Sequence, residues 1–327
     1  MKVLILSSKD DGHATIVKAE LDKLGAQVDF LSYDQVIEHC SISFSLGTMQ
    51  PRCVLRKASG DLDLRSYTSV WHRRPGLFQS EKFVEPWISR MVEKEASAAV
   101  EGMFRSLPCI WMNFPADDAA ATTKLWQLQL ALDVGLTIPE TCVTNNPDDV
   151  REFYESCNGE VIYKLINDQS PFSIPANEAP AGITTLPLRE EDLPHLDQVA
   201  HAPHLFQRRV KKAFEVRVTI VGREVFSVSI DSQSGQGKID WRNDYSVEMK
   251  SIEIPKDIRE KCLALMRRLN LNYGALDFIV TDENQYVFLE NNPQGQYYWA
   301  EVRSGLKISQ QIALLLTGQA EPLIAPV

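Results

Sequence analysis

Apolar and polar positions along this chain follow two periods in turn, and each switch between them marks an element. Lys2–Ser7 (KVLILS) is a short unbroken apolar run, the pattern of a buried strand, and residues 14–24 repeat their apolar positions at helical spacing up to Gly25. Gln27–Leu31 returns to the strand pattern, so the chain opens β-α-β. The turn between the first two elements, SSKDDGHAT, lacks the glycines that let a backbone approach a pyrophosphate, which argues for a scaffold and against a dinucleotide site. TSVWHRRPGLF predicts another strand emptying into a loop, with Arg73 and Arg74 at its end. Loops at strand ends meet ligands more often than strand middles do, although a pair of solvated arginines is the plainer alternative. A helix over 81–105 then leads to a last apolar strand, PCIWMNFP.

The pattern changes at ADDAAATTKLWQLQLALDVGL, where Asp117 or Asp118 can cap a helix with Leu125, Leu128 and Leu132 on one face and a stop at Gly135. A domain boundary near residue 115 follows. Beyond it the spacing predicts a strand at TCVTN, a helix near 147–157 and the strand VIYKLI, then a mobile loop over 167–190 rich in Pro, Ala, Asn and Ser. The last region runs from the strand HLFQRRV through two hairpins to helices over 257–269 and 308–317. No internal repeat interrupts it. The expected units are 1–115, 116–200 and 201–327, an α/β domain followed by α+β parts.

The most informative stretch is YGALDFIVTDENQYVFLENNP, two apolar strands around a polar turn. With Glu283 and Asn284 at the turn centre, Asp277 faces Glu290, Ile279 faces Phe288 and Thr281 faces Tyr286. Asn292 follows Glu290 at the two-residue period and points the same way. Directly opposed strand residues have Cβ atoms about 4.5 to 5.5 Å apart, so two carboxylates there repel unless a cation or a proton sits between them. Two carboxylates and an amide oxygen suit magnesium on a phosphate substrate. An exposed strand end, a protonated carboxyl or a pairing with Arg would also account for them.

Several cations could hold phosphates. Lys164 interrupts the apolar strand VIYKLI, where a snorkelling or solvent-facing lysine is the usual explanation. Lys124 sits in a first helical turn beside its apolar stripe. Arg217 and Glu215 share one face of FEVRVTIVG opposite Val216, Val218 and Ile220, an arrangement that a salt bridge between them would also explain. Arg242 in DWRND is a further candidate. This set suits phosphoryl transfer, in which a protein mainly positions groups and neutralises charge. The pair His201 and His204 lacks a third ligand and reads as loop.

Composition narrows the classes. At 327 residues, 44% apolar and 24% charged, the chain can bury two or three lobes with a cleft between them. It has no run of eighteen apolar residues, and its start fits a buried strand better than a signal peptide, so a soluble cytoplasmic protein is expected, off the membrane. Six cysteines, at 40, 53, 109, 142, 157 and 262, form no C-x-x-C pair and read as reduced thiols. The net charge of −10 argues against nucleic acid but leaves room for a nucleotide and for a basic peptide.

In order, Lys124, Lys164, FQRRV, EVR, LDF and LENNP resemble the ATP-grasp superfamily over about 115–300. The chain most resembles the microviridin-type ATP-grasp ligases, or graspetide synthetases, and there the likeness extends through VWHRRPG, APAGITTLPLREEDL, VFSVSIDSQ and LENNPQGQYYW to nearly the whole length. The resemblance implies a Rossmann-like N-terminal domain before two ATP-grasp subdomains with ATP between them. It implies that Lys124 and Lys164 contact ATP phosphates, that Gln207, Arg208, Arg209 and Val210 form the adenine-facing hinge, and that Glu215 approaches the ribose. Asp277, Glu290 and Asn292 would bind magnesium, and Arg217 and Arg242 would stabilise phosphate or acyl phosphate.

The implied substrate is a ribosomally made precursor peptide whose Asp or Glu side chains are joined to Ser, Thr or Lys. Its leader would dock near Glu190, Glu191 and Asp192, unless these acids only start a helix. Arg73 and Arg74 are candidates for further substrate contacts, and a homodimer is an open expectation. A ligase adding an amino acid such as glutamate to a peptide carboxylate is the alternative enzyme, and a nucleotide-binding regulator the alternative class. Two features depart from the wider superfamily: INDQSPFSIPANEAPAG has no glycine-rich phosphate loop, and Arg208 stands in the hinge where an acidic or amide residue is usual.

Overall fold

The computed structural model describes residues 1–49, 51–79, 85–166, 185–235, 241, 244 and 246–326. Its first part alternates strands and helices: β1 (Lys2–Ser7), α1 (Gly12–Lys23), β2 (Gln27–Leu31), α2 (Tyr33–His39), β3 (Cys40–Ser45), β4 (Arg52–Lys57), β5 (Leu62–Asp63), β6 (Ser69–Arg74), α3 (Pro86–Arg105) and β7 (Ile110–Met112). Asp11 caps α1 by accepting from the Ala14 amide. The main sheet has the order β2-β1-β6-β7 with parallel pairing throughout, while β3, β4 and β5 form a small antiparallel sheet. Because β1 is buried on both faces, its sequence runs apolar without alternation: Leu4 and Leu6 enter one core and Val3 and Ile5 another.

The second part holds α4 (Pro115–Ala121), α5 (Lys124–Asp133), β8 (Thr141–Thr144), α6 (Pro147–Ser156), β9 (Val161–Lys164), β10 (Leu186–Leu188) and β11 (His204–Arg208), with a 3-10 helix over Glu190–His201 before β11. Its sheet has the order β10-β9-β11-β8. Two expectations change here. Residues 167–184 of the expected loop lie outside the described residues, but Leu186–Leu188 pairs with β9 as a strand. The single helix expected after residue 115 is two, broken at Thr122–Thr123, and the break rotates the buried face of the second to Gln127, Leu128, Leu130 and Ala131, leaving Leu125 and Leu132 exposed. Neither Asp117 nor Asp118 caps it; Phe114 precedes the first turn and Pro115 opens it.

The third part holds β12 (Phe214–Val221), β13 (Glu224–Ile230), β14 (Met249–Ser251), α7 (Lys256–Arg268), β15 (Tyr273–Val280), β16 (Tyr286–Asn292), α8 (Tyr298–Ser304) and α9 (Ile308–Leu316). An antiparallel sheet of order β14-β13-β12-β15-β16 shows the two-residue alternation plainly. Val216, Val218, Ile220, Leu276, Phe278, Val280 and Phe288 pack on α5 and α7, so Glu215, Arg217 and Asp277 are left on the opposite face. The last helix, α9, returns to cover the first sheet, where Ile308, Ile312 and Leu316 share a core with Val3, Ile5 and Trp71. All six cysteines are free thiols, and among the described residues no helix is long and apolar enough to cross a membrane.

Candidate active site

Three strands line up charged side chains in one row. Arg217 on β12 lies opposite Asp277 on β15, and Asp277 lies opposite Glu290 on β16, with Ala275 opposite Asn292. The expected Asp277–Glu290 pairing is present, but it is reached by a different route. Closer to the turn the pairs are Phe278–Phe288, Ile279–Val287 and Val280–Tyr286, not Ile279–Phe288 and Thr281–Tyr286. The connection is centred on Glu283, with Asn284 at φ 59 and the Thr281 amide donating to the Gln285 carbonyl. That shifts the register by one, and a bulge that leaves Leu289 without an opposite residue shifts it back. The bulge keeps Phe288 in the core while bringing Glu290 to the charged face.

Arg217 holds Asp277 through both carboxylate oxygens, Nε to Oδ1 at 2.7 Å and Nη2 to Oδ2 at 3.2 Å. The strand-to-strand pairing of Arg217 and Asp277 places the fork and the carboxylate at one level, and such bidentate pairs are among the stronger charge-assisted contacts. Glu215 is not the partner of Arg217; it pairs with Lys212 at 2.7 Å, and both of those side chains are 7% exposed. Burial pushes the Glu215 carboxyl above its ordinary value, against the opposing pull of Lys212 and Ser232. Lys212, the second lysine of RRVKK, is a site residue that the alternation of β12 did not reveal because it precedes the strand.

A cavity of about 450 Å³ adjoins this row, lined by Glu160, Ile162, Thr185, Arg209, Val210, Lys212, Gln233 and Ile279. The four residues expected at the hinge are placed apart. Arg209 and Val210 line the cavity, and the Arg209 amide donates to the Glu160 carbonyl. Gln207 is buried and donates to Thr141 Oγ1, while Arg208 turns to Glu140 and to the Ser156 carbonyl. Lys124, at the first position of α5, donates to the Leu165 carbonyl at 2.9 Å, and so comes beside the residue next to Lys164. Arg242 lies outside the described residues.

The segment leaving β16 is gripped from every side. Gln127 of α5, 2% exposed, holds both backbone groups of Asn291. Asn113 donates to the Pro293 carbonyl, Arg73 to that of Gln294, Tyr273 Oη to that of Gly295 and Arg217 Nη1 to that of Gln296. The Asn292 carbonyl accepts from the Gly295 amide, and the Asn292 side-chain oxygen accepts from the Gln294 amide. Every carbonyl from 291 to 296 therefore has a donor. Behind Gln294, His72 Nδ1 meets Asp118 Oδ2 at 2.5 Å, and Asp118 Oδ1 accepts from Asn113 at 2.8 Å. None of Gln127, Asn113, His72 and Asp118 stands out as a site residue in the sequence, because each has a partner at least 46 positions away.

Glu191 pairs with Arg189, and Asp192 accepts from the Arg189 amide at the start of the 3-10 helix. Asp192 also lines a cavity of about 710 Å³ walled by Leu188, Leu196, Val199 and Phe206. Arg73 is buried and Arg74 is exposed at the end of β6.

Among the described residues no three His, Cys, Asp or Glu side chains cluster as a metal cage. Two opposed carboxylates with one amide oxygen nearby are the partial hard-oxygen set that magnesium completes with phosphate oxygens and water, so the residues present fit that ion.

Residues 2–118 match the family described as the MvdD pre-ATP grasp domain. Over the whole length the chain is similar to the macrocyclase MdnC of Microcystis aeruginosa MRC, solved with the precursor peptide MdnA, at 31% identity and a TM-score of 0.84, covering 97% of this chain and 100% of that one. It is also similar to a RiPP-associated ATP-grasp ligase of Chryseobacterium gregarium, solved with ADP and a leader and core peptide, at 27% identity and a TM-score of 0.88, covering 100% and 99%. The ATP-grasp ligase PsnB, solved with a minimal precursor, Mg and ADP, shares the fold at 22% identity and a TM-score of 0.76, covering 97% and 96%. A comparison with curated proteins returns no match.

Proposed function

We propose, since this chain belongs to the microviridin-type family of ATP-grasp ligases, that it closes rings in a ribosomally made precursor peptide by activating Asp or Glu side chains and joining them to Ser or Thr hydroxyls or Lys amines. A carboxylate oxygen of the peptide attacks the γ-phosphorus of ATP, the bond to the β,γ-bridging oxygen breaks, and ADP leaves. The hydroxyl or amine then attacks the carbonyl carbon of the acyl phosphate and loses its proton, and phosphate departs. An ester or an amide closes the ring.

Lys124 and Lys164 would neutralise the triphosphate, with adenine beside Arg209 and Val210 and the ribose towards Glu215. Magnesium, which Asp277, Glu290 and Asn292 would hold, offsets the charge of triphosphate and carboxylate. Arg217 fixes Asp277 and brings a guanidinium to the same row, and Arg242 is proposed for the acyl phosphate. The peptide's leader is proposed to dock at the cavity beside Asp192, with Glu191 and Asp192 drawing a basic leader residue to the rim.

The bulge at Leu289, which sets Glu290 opposite Asp277 without disturbing the core, is the observation that carries this reading. Glu290→Gln removes charge and little packing, so it should abolish cross-linking at unchanged melting temperature. Asp277→Asn should also abolish cross-linking but lower the melting temperature, costing about 1–3 kcal/mol of stability by weakening the grip of Arg217. Peptide mass reports the reaction, since each ring removes one water. Cross-linking near the wild-type rate in both variants would sink the assignment, and a mass gain equal to an added amino acid would turn it to the amino-acid-adding reaction.

A further inference from the structure

The parallel sheet has a second place where polar groups collect. In the order β2-β1-β6-β7 the chain leaves β1 for β2 on one side, while β6 lies on the other. That divergence opens a crevice at the carboxyl ends of β1 and β6, the usual ligand position in open α/β sheets. Ser7 ends β1, Arg73 and Arg74 end β6, and α1 begins directly after the intervening turn.

Eight buried side-chain atoms lack a hydrogen-bond partner among the described residues, and four of them are Ser7 Oγ, His13 Nδ1 and Arg73 Nε and Nη2. Buried polar groups are nearly always satisfied, so such a concentration needs an explanation. Arg73 is 1% exposed. Its Nη1 is used by the Gln294 carbonyl, so the free pair is the Nε–Nη2 edge, the fork that takes both oxygens of one carboxylate. Asp11 does not fill that fork: it stands 3.5 Å from Nε, and its Oδ1 is committed to the Ala14 amide at 2.7 Å.

The rim can be entered. Ser8, Gly12 and Arg74 are exposed, and a Cβ added to Gly12 would meet no atom within 4 Å. His13 packs edge-on to Tyr297, in the loop whose Gln296 carbonyl Arg217 holds, so the crevice borders the strand exit that follows Glu290 and Asn292.

We propose that Ser7, His13, Arg73 and Arg74 form a carboxylate subsite that holds an acidic side chain of the peptide substrate at the seam between the first sheet and the segment 293–297. This deepens the proposed function and rests on it for the identity of the peptide. Arg73 grips two oxygens side-on, Ser7 and His13 add single hydrogen bonds, and Arg74 supplies charge at the mouth. A phosphate could use the same fork, so the test separates the two anions.

The experiment is calorimetry on the full chain with ADP and magnesium. It uses the precursor peptide and a series in which each Asp or Glu becomes Asn or Gln one at a time. In wild type, one amide substitution should weaken binding about tenfold, the size of one lost charge-assisted fork. In Arg73→Lys, Arg74→Ala and Ser7→Ala, the parent peptide should bind severalfold to tenfold more weakly, the same amide substitution should cost little more, and ADP affinity should not change. Arg74→Ala and Ser7→Ala serve even if Arg73→Lys destabilises the fold. Binding is read without turnover, so a chain that binds in this pattern yet closes no ring would overturn the ring-closing reading and not the subsite. Loss of ADP affinity with peptide affinity intact would assign the fork to phosphate and overturn the proposal. Equal losses for acid and amide peptides, or none, would leave buried water as the occupant and overturn it too.

Discussion

At the scale of single residues the site is a set of charges that burial makes expensive and pairing makes tolerable. The Lys212–Glu215 pair shows the balance, because burial raises the Glu215 pKa even with an ammonium 2.7 Å away. A carboxyl whose folded pKa is raised contributes stability below its unfolded value and loses it as pH rises through the folded one. Lys212 opposes that shift, so Lys212→Met should raise the Glu215 pKa further and destabilise the protein by about 3–5 kcal/mol at pH 7. At pH 5, where Glu215 is nearer its neutral form, the loss should be smaller. Thermal melts of both proteins at the two pH values check this, and a difference independent of pH would show that the ammonium does not answer the buried carboxylate. His13 shifts the other way, pushed down to about 4 by burial and then by Arg73, so it stands neutral at pH 7 as a hydrogen-bonding group.

At the scale of elements, the strand end after Glu290 pairs with β15 on one side only, and its outer edge is held by side chains because β16 is the last strand of its sheet. Gln127 is the clearest case, with its amide matched to both backbone groups of Asn291. Gln127→Met keeps the volume and removes both bonds, leaving a buried N–H and C=O unpaired at about 1–3 kcal/mol. The Glu290 and Asn292 side chains hang from that backbone, so the magnesium concentration for half-maximal ADP binding should rise severalfold while affinity at saturating magnesium recovers. A magnesium titration identical to wild type would mean the clamp serves stability alone.

The same elements separate what the chain reveals locally from what it does not. Alternation is a local signal, so the buried face of β12, the hairpin and the Asp277–Glu290 opposition were legible. The bulge at Leu289 was not, because a bulge inserts a residue without changing the apolar count. Nor was the burial of Gln127, which depends on a break at Thr122–Thr123 that resets the helix face. The partners of Arg217 and Glu215 share their strand's face or its approach, and choosing between Asp277 and Lys212 requires the sheet order. Asn113 and Asp118 are five residues apart, but their links to His72, Asn272, Tyr273 and Pro293 cross long sequence distances, beyond any period.

At the scale of the whole molecule, the chain's end completes its beginning. Ile308, Ile312, Leu315 and Leu316 of α9 share one core with Val3, Ile5, Ala14, Val17 and Leu21, and Ser69 Oγ donates to the Leu316 carbonyl. One face of the parallel sheet is thus covered by a helix more than two hundred residues away in sequence, while Asn113 ties the same region to the Asn272 and Tyr273 amides at 2.8 Å. A first domain built this way cannot bury its own apolar face, and its stability is inseparable from that of the last sheet. Heating should therefore melt the first and last regions in one cooperative transition. Leu315→Ala, at a fully buried position, should lower that transition with a loss of about 2–5 kcal/mol. Because the helix spans both regions, the loss should appear equally in probes placed in each, such as Trp71 in the first sheet and Trp299 beside Arg217. A calorimetric trace in which Leu315→Ala moves only one of two resolved transitions would show that the first domain folds on its own and that α9 is merely laid against it.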